Sequence, residues 1–153
     1  MIDLIVNIVI EQFLFVINAK KRILVVVVTY NGMNWLDRCL GSIRTSNMPA
    51  DVIVIDNGSK DGTCQYVPSA FPEVNFICAG ENLGFGKANN IGFRYALEQG
   101  YDYVYLLNQD AWVFPDTFGV LAGAMDADDS LGILSPMQMA ASGDIPDPRF
   151  KRR

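Results

Sequence analysis

The chain has 153 residues, half of them hydrophobic and 19% charged. That is enough for one domain with its own buried core, and too apolar for a disordered chain. Twelve Lys and Arg against 17 Asp and Glu leave a net charge of −5, which turns nucleic acid away except at a local basic patch.

Residues Met1 to Ala19 read MIDLIVNIVIEQFLFVINA. The stretch is apolar, but Asp3, Asn7, Glu11, Gln12 and Asn18 interrupt it. A spanning helix needs about 20 mostly apolar residues, and Glu11 is costly near its middle. A secretory signal begins with positive charge, whereas this one begins with Asp3. Residues 1–21 are therefore read as an apolar extension. The alternatives are a helix or strand packed on the domain or a partner, a membrane-surface helix, and a mis-assigned start.

Ile23 to Val28 is a β-branched run of the kind that forms a central parallel strand. Thr29-Tyr30-Asn31-Gly32 closes it as a loop, and Asn34 is a candidate helix cap. Trp35, Leu36, Cys39, Leu40 and Ile43 then share one helical face. Val52 to Ile55 predicts a second buried strand, ended by the polar turn Asp56-Asn57-Gly58-Ser59. Asp61-Gly62-Thr63 opens a short helix that Pro68 and Pro72 bound or kink.

Val74 to Cys78 predicts the third strand, and Asn82 to Gly86 a glycine-bearing loop. A helix from Lys87 places Ala88, Ile91, Tyr95 and Ala96 on one side, with Gly100 just past its end. Tyr103 to Leu107 predicts the fourth strand, ended by Asn108-Gln109-Asp110. Asp116 is a candidate cap for a helix burying Phe118, Leu121, Ala122 and Met125, and Leu131 to Leu134 predicts a further short strand. Residues 22–137 thus form the α/β domain, and 138–153 a tail without pattern, with Met137 and Met139 as core or loose-tail residues.

Strands alternating with helix-length segments specify a mostly parallel sheet with helices on both faces. Right-handed crossovers bring the carboxyl ends of the strands to one rim, where open α/β sheets bind ligands. Three polar turns meet there, around Thr29-Tyr30-Asn31, Asp56 and Asn108-Gln109-Asp110.

The dinucleotide fingerprint GxGxxG and the phosphate loop GxxxxGK[ST] are both absent. With no histidine, a Ser-His-Asp triad, a Cys-His dyad and a His-based zinc site are excluded. Cys39, Cys64 and Cys78 form no CxxC pair, which argues against a disulfide scaffold or structural zinc and for a reducing cytosol. A metal held by oxygen ligands, Mg2+ or Mn2+, remains. Asp110 is either a cap or turn residue or an oxygen ligand of that ion, with Asn108 suited to a metal-bound water. Asp56 is either a turn residue or an acceptor for a base or ribose. Lys87 and the helix start beside it face either phosphate or solvent. One of Asn89 and Asn90 is expected to make a structural or ligand contact, and Trp112 either flanks a ligand or packs in the core.

Four segments, ILVVVVTYNGMNWLDRCLGSI, VIVIDNGSKDGT, ENLGFGKANNIGFRYAL and YVYLLNQDAWVFPD, together resemble the family 2 glycosyltransferases of GT-A fold. The resemblance covers roughly residues 22 to 135 and is nearest to bacterial rhamnosyltransferase-like members that make surface polysaccharide. It implies an enzyme that passes a sugar from a nucleotide-diphospho-sugar, a UDP- or dTDP-sugar, to a glycan or lipid-linked acceptor hydroxyl with inversion. Thr29, Tyr30 and Asn31 match the first nucleotide-contacting loop, and Asp56 matches the acid that reads the base. Asn82, Gly84 and the segment Lys87 to Asn90, which includes Asn89, match the loop and helix lining nucleotide and sugar. Asn108-Gln109-Asp110 matches the DxD motif, with Asn108 in place of its first acid and Asp110 at its metal-binding end.

Family members continue past this point into the acceptor surface and the general base. Neither Asp126, Asp128 and Asp129 nor Asp144 and Asp147 match that base, which leaves the catalytic base unassigned. The expectation is the N-terminal portion of such an enzyme: a truncated gene, an isolated domain or a degenerate copy. A catalytically incomplete nucleotide-diphosphate-binding module and a nucleotidyltransferase are the alternatives. No nucleic-acid partner is expected. A cytoplasmic location is expected, with peripheral association at the inner membrane face or self-association through the apolar N-terminus as further expectations.

Overall fold

The computed structural model describes residues 21–140 and 142–148. The apolar segment Met1 to Ala19 and the basic run Lys151-Arg152-Arg153 lie outside the described residues, and with them the expectations of a packed helix or a membrane-surface helix. No helix among the described residues is long and apolar enough to cross a membrane.

The strands are β1 (Ile23–Thr29), β2 (Asp51–Asp56), β3 (Asn75–Cys78) and β4 (Tyr103–Asn108). They alternate with the helices α1 (Leu36–Arg44), α2 (Thr63–Ala70), α3 (Phe85–Gln99) and α4 (Thr117–Ala127). The sheet order is β3-β2-β1-β4, and every pairing is parallel. This is the α/β architecture that the alternation of segments specifies.

Strand periodicity divides β1 between two cores. Ile23, Val25 and Val27 pack with Leu36, Cys39 and Leu40 of α1, Val67 of α2 and Phe118 and Ala122 of α4. Leu24 and Val26 point the other way, onto Ala88 and Ala96 of α3. Three helices therefore cover one face and α3 covers the other. Burying each such aliphatic side chain contributes about 1.5–3 kcal/mol, which explains why β1 must be apolar on both sides. Close approach of α3 depends on Gly92, since a Cβ there would stand 2.5 Å from Val26 Cγ1.

Helix ends differ in detail from expectation. Asn34 caps nothing: Trp35 holds the N-cap position of α1 without a side-chain bond. The Gly32 carbonyl accepts from the N–H groups of Trp35 and Leu36, so a turn opens the helix one residue later. Asp116 occupies the N-cap of α4 without a side-chain bond, and Thr117 Oγ1 takes the Phe114 N–H instead. α2 runs two residues past Pro68 and stops at Phe71, whose φ of −132° and ψ of 64° reflect the following Pro72. α3 starts at Phe85, two residues before Lys87, and ends on left-handed Gly100.

The strand expected over Leu131 to Leu134 does not form. A strand needs a neighbour for its backbone groups, and none of the described strands pairs with this segment. Ile133 is 91% exposed. The tail beyond it carries one antiparallel bridge, between Met139 and Pro146.

Candidate functional site

β1, β2 and β4 run parallel, so Thr29, Asp56 and Asn108 end at one rim. A cleft of about 300 Å³ opens there, lined by Val28, Tyr30, Asn57, Asn82, Phe85, Asn108, Gln109 and Asp110. Of the residues read from the sequence, Tyr30, Asn82, Asn108 and Asp110 meet in this cleft. Thr29, Asn31, Asp56 and Asn89 do not line it: Thr29 and Asp56 end β1 and β2, Asn31 lies in the loop after β1, and Asn89 is in α3.

Gln109 joins two of those loops. Its Oε1 accepts from Thr29 Oγ1 at 2.7 Å and from the Tyr30 N–H at 3.0 Å. Its Nε2 donates to the Tyr30 carbonyl at 3.3 Å. Gly32 leaves room for this clamp, because a Cβ there would stand 2.2 Å from Thr29 Oγ1 and 2.8 Å from Gln109 Oε1. Asn31 has a left-handed φ of 51°. Its N–H donates to Ser59 Oγ, and its Oδ1 accepts from the Lys60 N–H. The first loop is thereby tied to the ends of β4 and β2.

Asn57 ties the third wall. Its Nδ2 donates to Asn82 Oδ1 at 3.0 Å, and its Oδ1 accepts from the Leu83 N–H at 2.8 Å. Asn82 Oδ1 also accepts from the Gly84 N–H. Gly58, at φ 87°, passes so close to the Glu81 backbone that a Cβ would stand 2.8 Å from its carbonyl carbon. Gly84 (φ 80°) then begins α3. Lys87 is exposed on the first turn, whereas Asn89 is buried and its Nδ2 donates to the Phe85 carbonyl.

Asp56 is completely buried. Its Oδ1 accepts from the N–H groups of Gly58 and Ser59 and from the thiols of Cys64 and Cys78. Its Oδ2 is buried with no hydrogen-bond partner. A buried carboxylate oxygen left unpaired is costly, so this atom is the one in the site that most needs a donor.

Asp110 is the opposite case. It is exposed at the cleft, and its carboxylate makes no hydrogen bond or ion pair among the described residues. One carboxylate beside amide oxygens, with room for phosphate and water, is a hard donor set that fits Mg2+ or Mn2+ rather than a soft ion. Below it, burial and then the negative charge of Asp110 push the Cys39 thiol up to about 12. Cys39 is therefore a neutral core residue.

Trp112 does not face the cleft: the Arg38 guanidinium stacks 3.2 Å from its ring centroid on the outer side of α1. Asp126 is bound by the Tyr103 hydroxyl, and Asp128 accepts from the N–H and Oγ of Ser130. A second hollow, of about 290 Å³, lies at the amino ends of β2 and β3 between Leu40, Ile43, Pro49 and Val74. None of the residues singled out from the sequence as ligand contacts is there.

The roles of Asn57, Gln109 and Phe85 were not legible in the sequence. Asn57 and Gln109 sit inside turns already recognised, but their side-chain targets lie 25 and 79 or more positions away. Phe85 is 62% exposed and was hidden among glycines.

The family whose sequence model matches is described as Glycosyl transferase family 2, over residues 24–148. The chain is 31% identical over 130 residues to the N-acetylglucosaminyl-diphospho-decaprenol L-rhamnosyltransferase of Mycobacterium tuberculosis, covering 79% of this chain and 42% of that protein. It is 32% identical over 108 residues to the dTDP-rhamnosyl transferase RfbF of Shigella flexneri, covering 70% and 36%. Among solved structures, the mannosyltransferase PcManGT of Pyrobaculum calidifontis, in complex with GDP-Man and Mn2+, superposes with a TM-score of 0.64 at 27% identity. That match covers 75% of this chain and 35% of the other. The chain spans less than half the length of the curated relatives that it matches.

Proposed function

Because this chain belongs to glycosyl transferase family 2 and has the GT-A fold, we propose that its strand-end cleft binds a nucleotide-diphospho-sugar. The reaction is transfer of the sugar to an acceptor hydroxyl with inversion, in polysaccharide or surface glycan synthesis. The observation that carries this reading is Asp110, exposed in the cleft with its carboxylate uncommitted to any partner among the described residues.

In this reading the unpartnered Oδ2 of Asp56 receives an N–H from the base. Tyr30 and Phe85 offer flat apolar surface to the nucleoside, and Asn82 with the start of α3 faces the diphosphate. Helix N-termini favour such anions, and Lys87 adds a positive charge on the same turn. Asp110 would hold Mg2+ or Mn2+, with Asn108 on a water of that ion, and the ion would offset charge on the leaving diphosphate. The name of the Shigella flexneri relative supports a dTDP-sugar donor, and that of the Mycobacterium tuberculosis relative a lipid-linked acceptor. Direct displacement also requires a base within hydrogen-bond reach of the acceptor hydroxyl. Among the described residues lining the cleft, Asp110 is the one carboxylate, so the base is not assigned to this segment.

Titration calorimetry of UDP and dTDP, with and without Mn2+, tests the donor site. Metal-dependent binding of one of them is expected. If neither binds, the proposal is wrong. A donor hydrolysis or transfer assay then separates transfer from binding alone.

A further inference from the structure

Cys64 and Cys78 are 14 positions apart, yet the fold brings them together on Asp56. Cys78 ends β3 and is the register partner of Asp56 at the end of β2. Cys64 is the second residue of α2. Their sulfurs stand 2.7 Å from each other, and 3.1 and 3.8 Å from Asp56 Oδ1. Among the described residues this is the group whose ligand atoms all lie within 4.8 Å. A zinc ion does not explain the arrangement well. Two sulfurs on one tetrahedral zinc at about 2.3 Å each are separated by roughly 3.8 Å, well beyond the separation seen here. A disulfide holds its sulfurs at about 2.05 Å, nearer to the separation seen here than the spacing on zinc.

We propose that Cys64 and Cys78 form a reversible disulfide by exchange with a small-molecule disulfide such as oxidised glutathione, and that closing it restricts access of a nucleotide base to Asp56. The second half of this inference rests on the reading of Asp56 as the base contact. Cys78 is the exposed member of the pair and attacks first. Its thiolate bonds one glutathione sulfur and expels the other as a thiolate. The Cys64 sulfur then attacks the Cys78 sulfur of this mixed disulfide and expels the second glutathione. Two electrons pass from the protein dithiol to the glutathione disulfide, and the two thiol protons end on the released glutathione. Burial, Cys78 and the Asp56 carboxylate together push the Cys64 thiol up to about 12, which assigns it the second, intramolecular step. Cys39 is buried on the inner face of α1 and stays out of the exchange.

The consequence for Asp56 is mechanical. The carboxylate has no exposed surface, and its free oxygen Oδ2 is enclosed. A base reaches that oxygen only if neighbouring atoms part. The thiols of α2 and β3 both contact this carboxylate, and a covalent bond between them removes their freedom to separate.

The experiment uses the whole chain, treated with oxidised glutathione or kept in a phosphine reductant. Peptide mapping by mass spectrometry without reduction reads the cross-link, thermal unfolding reads its effect on the fold, and calorimetry reads UDP and dTDP binding. The expected result is a Cys64–Cys78 linked peptide lacking two hydrogens, a higher Tm, and nucleotide binding weakened about fivefold or more. Reduction should reverse all three. Cys64→Ser and Cys78→Ser, each made so that a misfolded variant does not decide the outcome, should lose the response to oxidant. No linked peptide, a link through Cys39, or one tightly held zinc per chain masking the thiols would overturn the disulfide. A link that leaves nucleotide affinity unchanged would overturn the restriction of Asp56. If the reduced chain binds no nucleotide, the donor-site reading fails and, with it, the restriction. The peptide map still decides the disulfide.

Discussion

Asp56 and Asp110 close the two strands that flank β1, and each comes after an apolar run, yet the fold treats them in opposite ways. Asp56 is fully buried and accepts from two backbone N–H groups and two thiols. Asp110 lies two residues beyond β4, exposed, without a partner among the described residues. The contrast arises from the path the chain takes out of each turn. After Asp56 the chain folds back into α2, whose Cys64 lies against the carboxylate. After Asp110 it leaves along Ala111 and Trp112 toward α4. One carboxylate is built into the fold, and the other is held at its surface.

Substitutions should separate the two along that line. Asp56→Ala strands the N–H groups of Gly58 and Ser59 and should cost about 2–3 kcal/mol of stability in chemical denaturation. A loss below about 0.5 kcal/mol, the range typical of surface changes, would break the comparison. Asp110→Ala should sit within that surface range, while Mn2+-dependent nucleotide binding falls about tenfold or more. Metal-dependent affinity equal to that of the parent chain would remove Asp110 from the site.

Gln109→Ala tests whether the clamp between these halves is structural. It removes three hydrogen bonds to Thr29 and Tyr30 and should cost about 1–2 kcal/mol, with weaker nucleotide binding as the Tyr30 loop loosens. Stability lost with affinity kept would show that the clamp does not position the cleft.

The smallest effect is expected from acid. Burial pushes the Asp61 carboxyl up, but hydrogen bonds from Thr63 Oγ1 and from the Met33 and Thr63 N–H groups outweigh it and hold the group below its usual 3.8. A lowered folded pKa contributes stability that is complete above the unfolded value and is lost as pH falls through the folded one. The Asp61 contribution should therefore be complete above about pH 4 and decline below it. Asp61→Asn should make that decline shallower in pH-dependent denaturation. An unchanged profile would show that the Asp61 bridge between Met33 and Thr63 has no weight.

Much of the fold was legible in advance. The β-branched run Ile23 to Val28 can hide its side chains only inside a sheet covered on both faces, and the alternating segments then dictate parallel pairing. The end of α3 at Gly100 and the polar turns at the strand ends come from local chemistry. The site was less legible. Thr29, Asn31 and Asn89 are small polar residues at strand and helix ends, and such residues carry the same signature whether they meet a ligand or a neighbouring loop. Only the structure shows that Thr29 Oγ1 bonds Gln109, Asn31 Oδ1 the Lys60 N–H and Asn89 Nδ2 the Phe85 carbonyl. The short apolar run Leu131 to Leu134 resembled a strand because periodicity does not say whether a sheet edge is available to receive it.

Local patterning, which acts over a few residues, determined the element order, the parallel sheet with helices on both faces, and the rim where polar turns gather. Family resemblance pointed to the same rim. Only the tertiary structure decided which turn residues reach the cleft, that Asp56 is enclosed while Asp110 is open, and that Cys64 and Cys78 meet on one carboxylate. Those outcomes depend on strand register and on the direction each turn leaves the sheet. Both are set by packing between segments far apart in the chain, which no local pattern encodes.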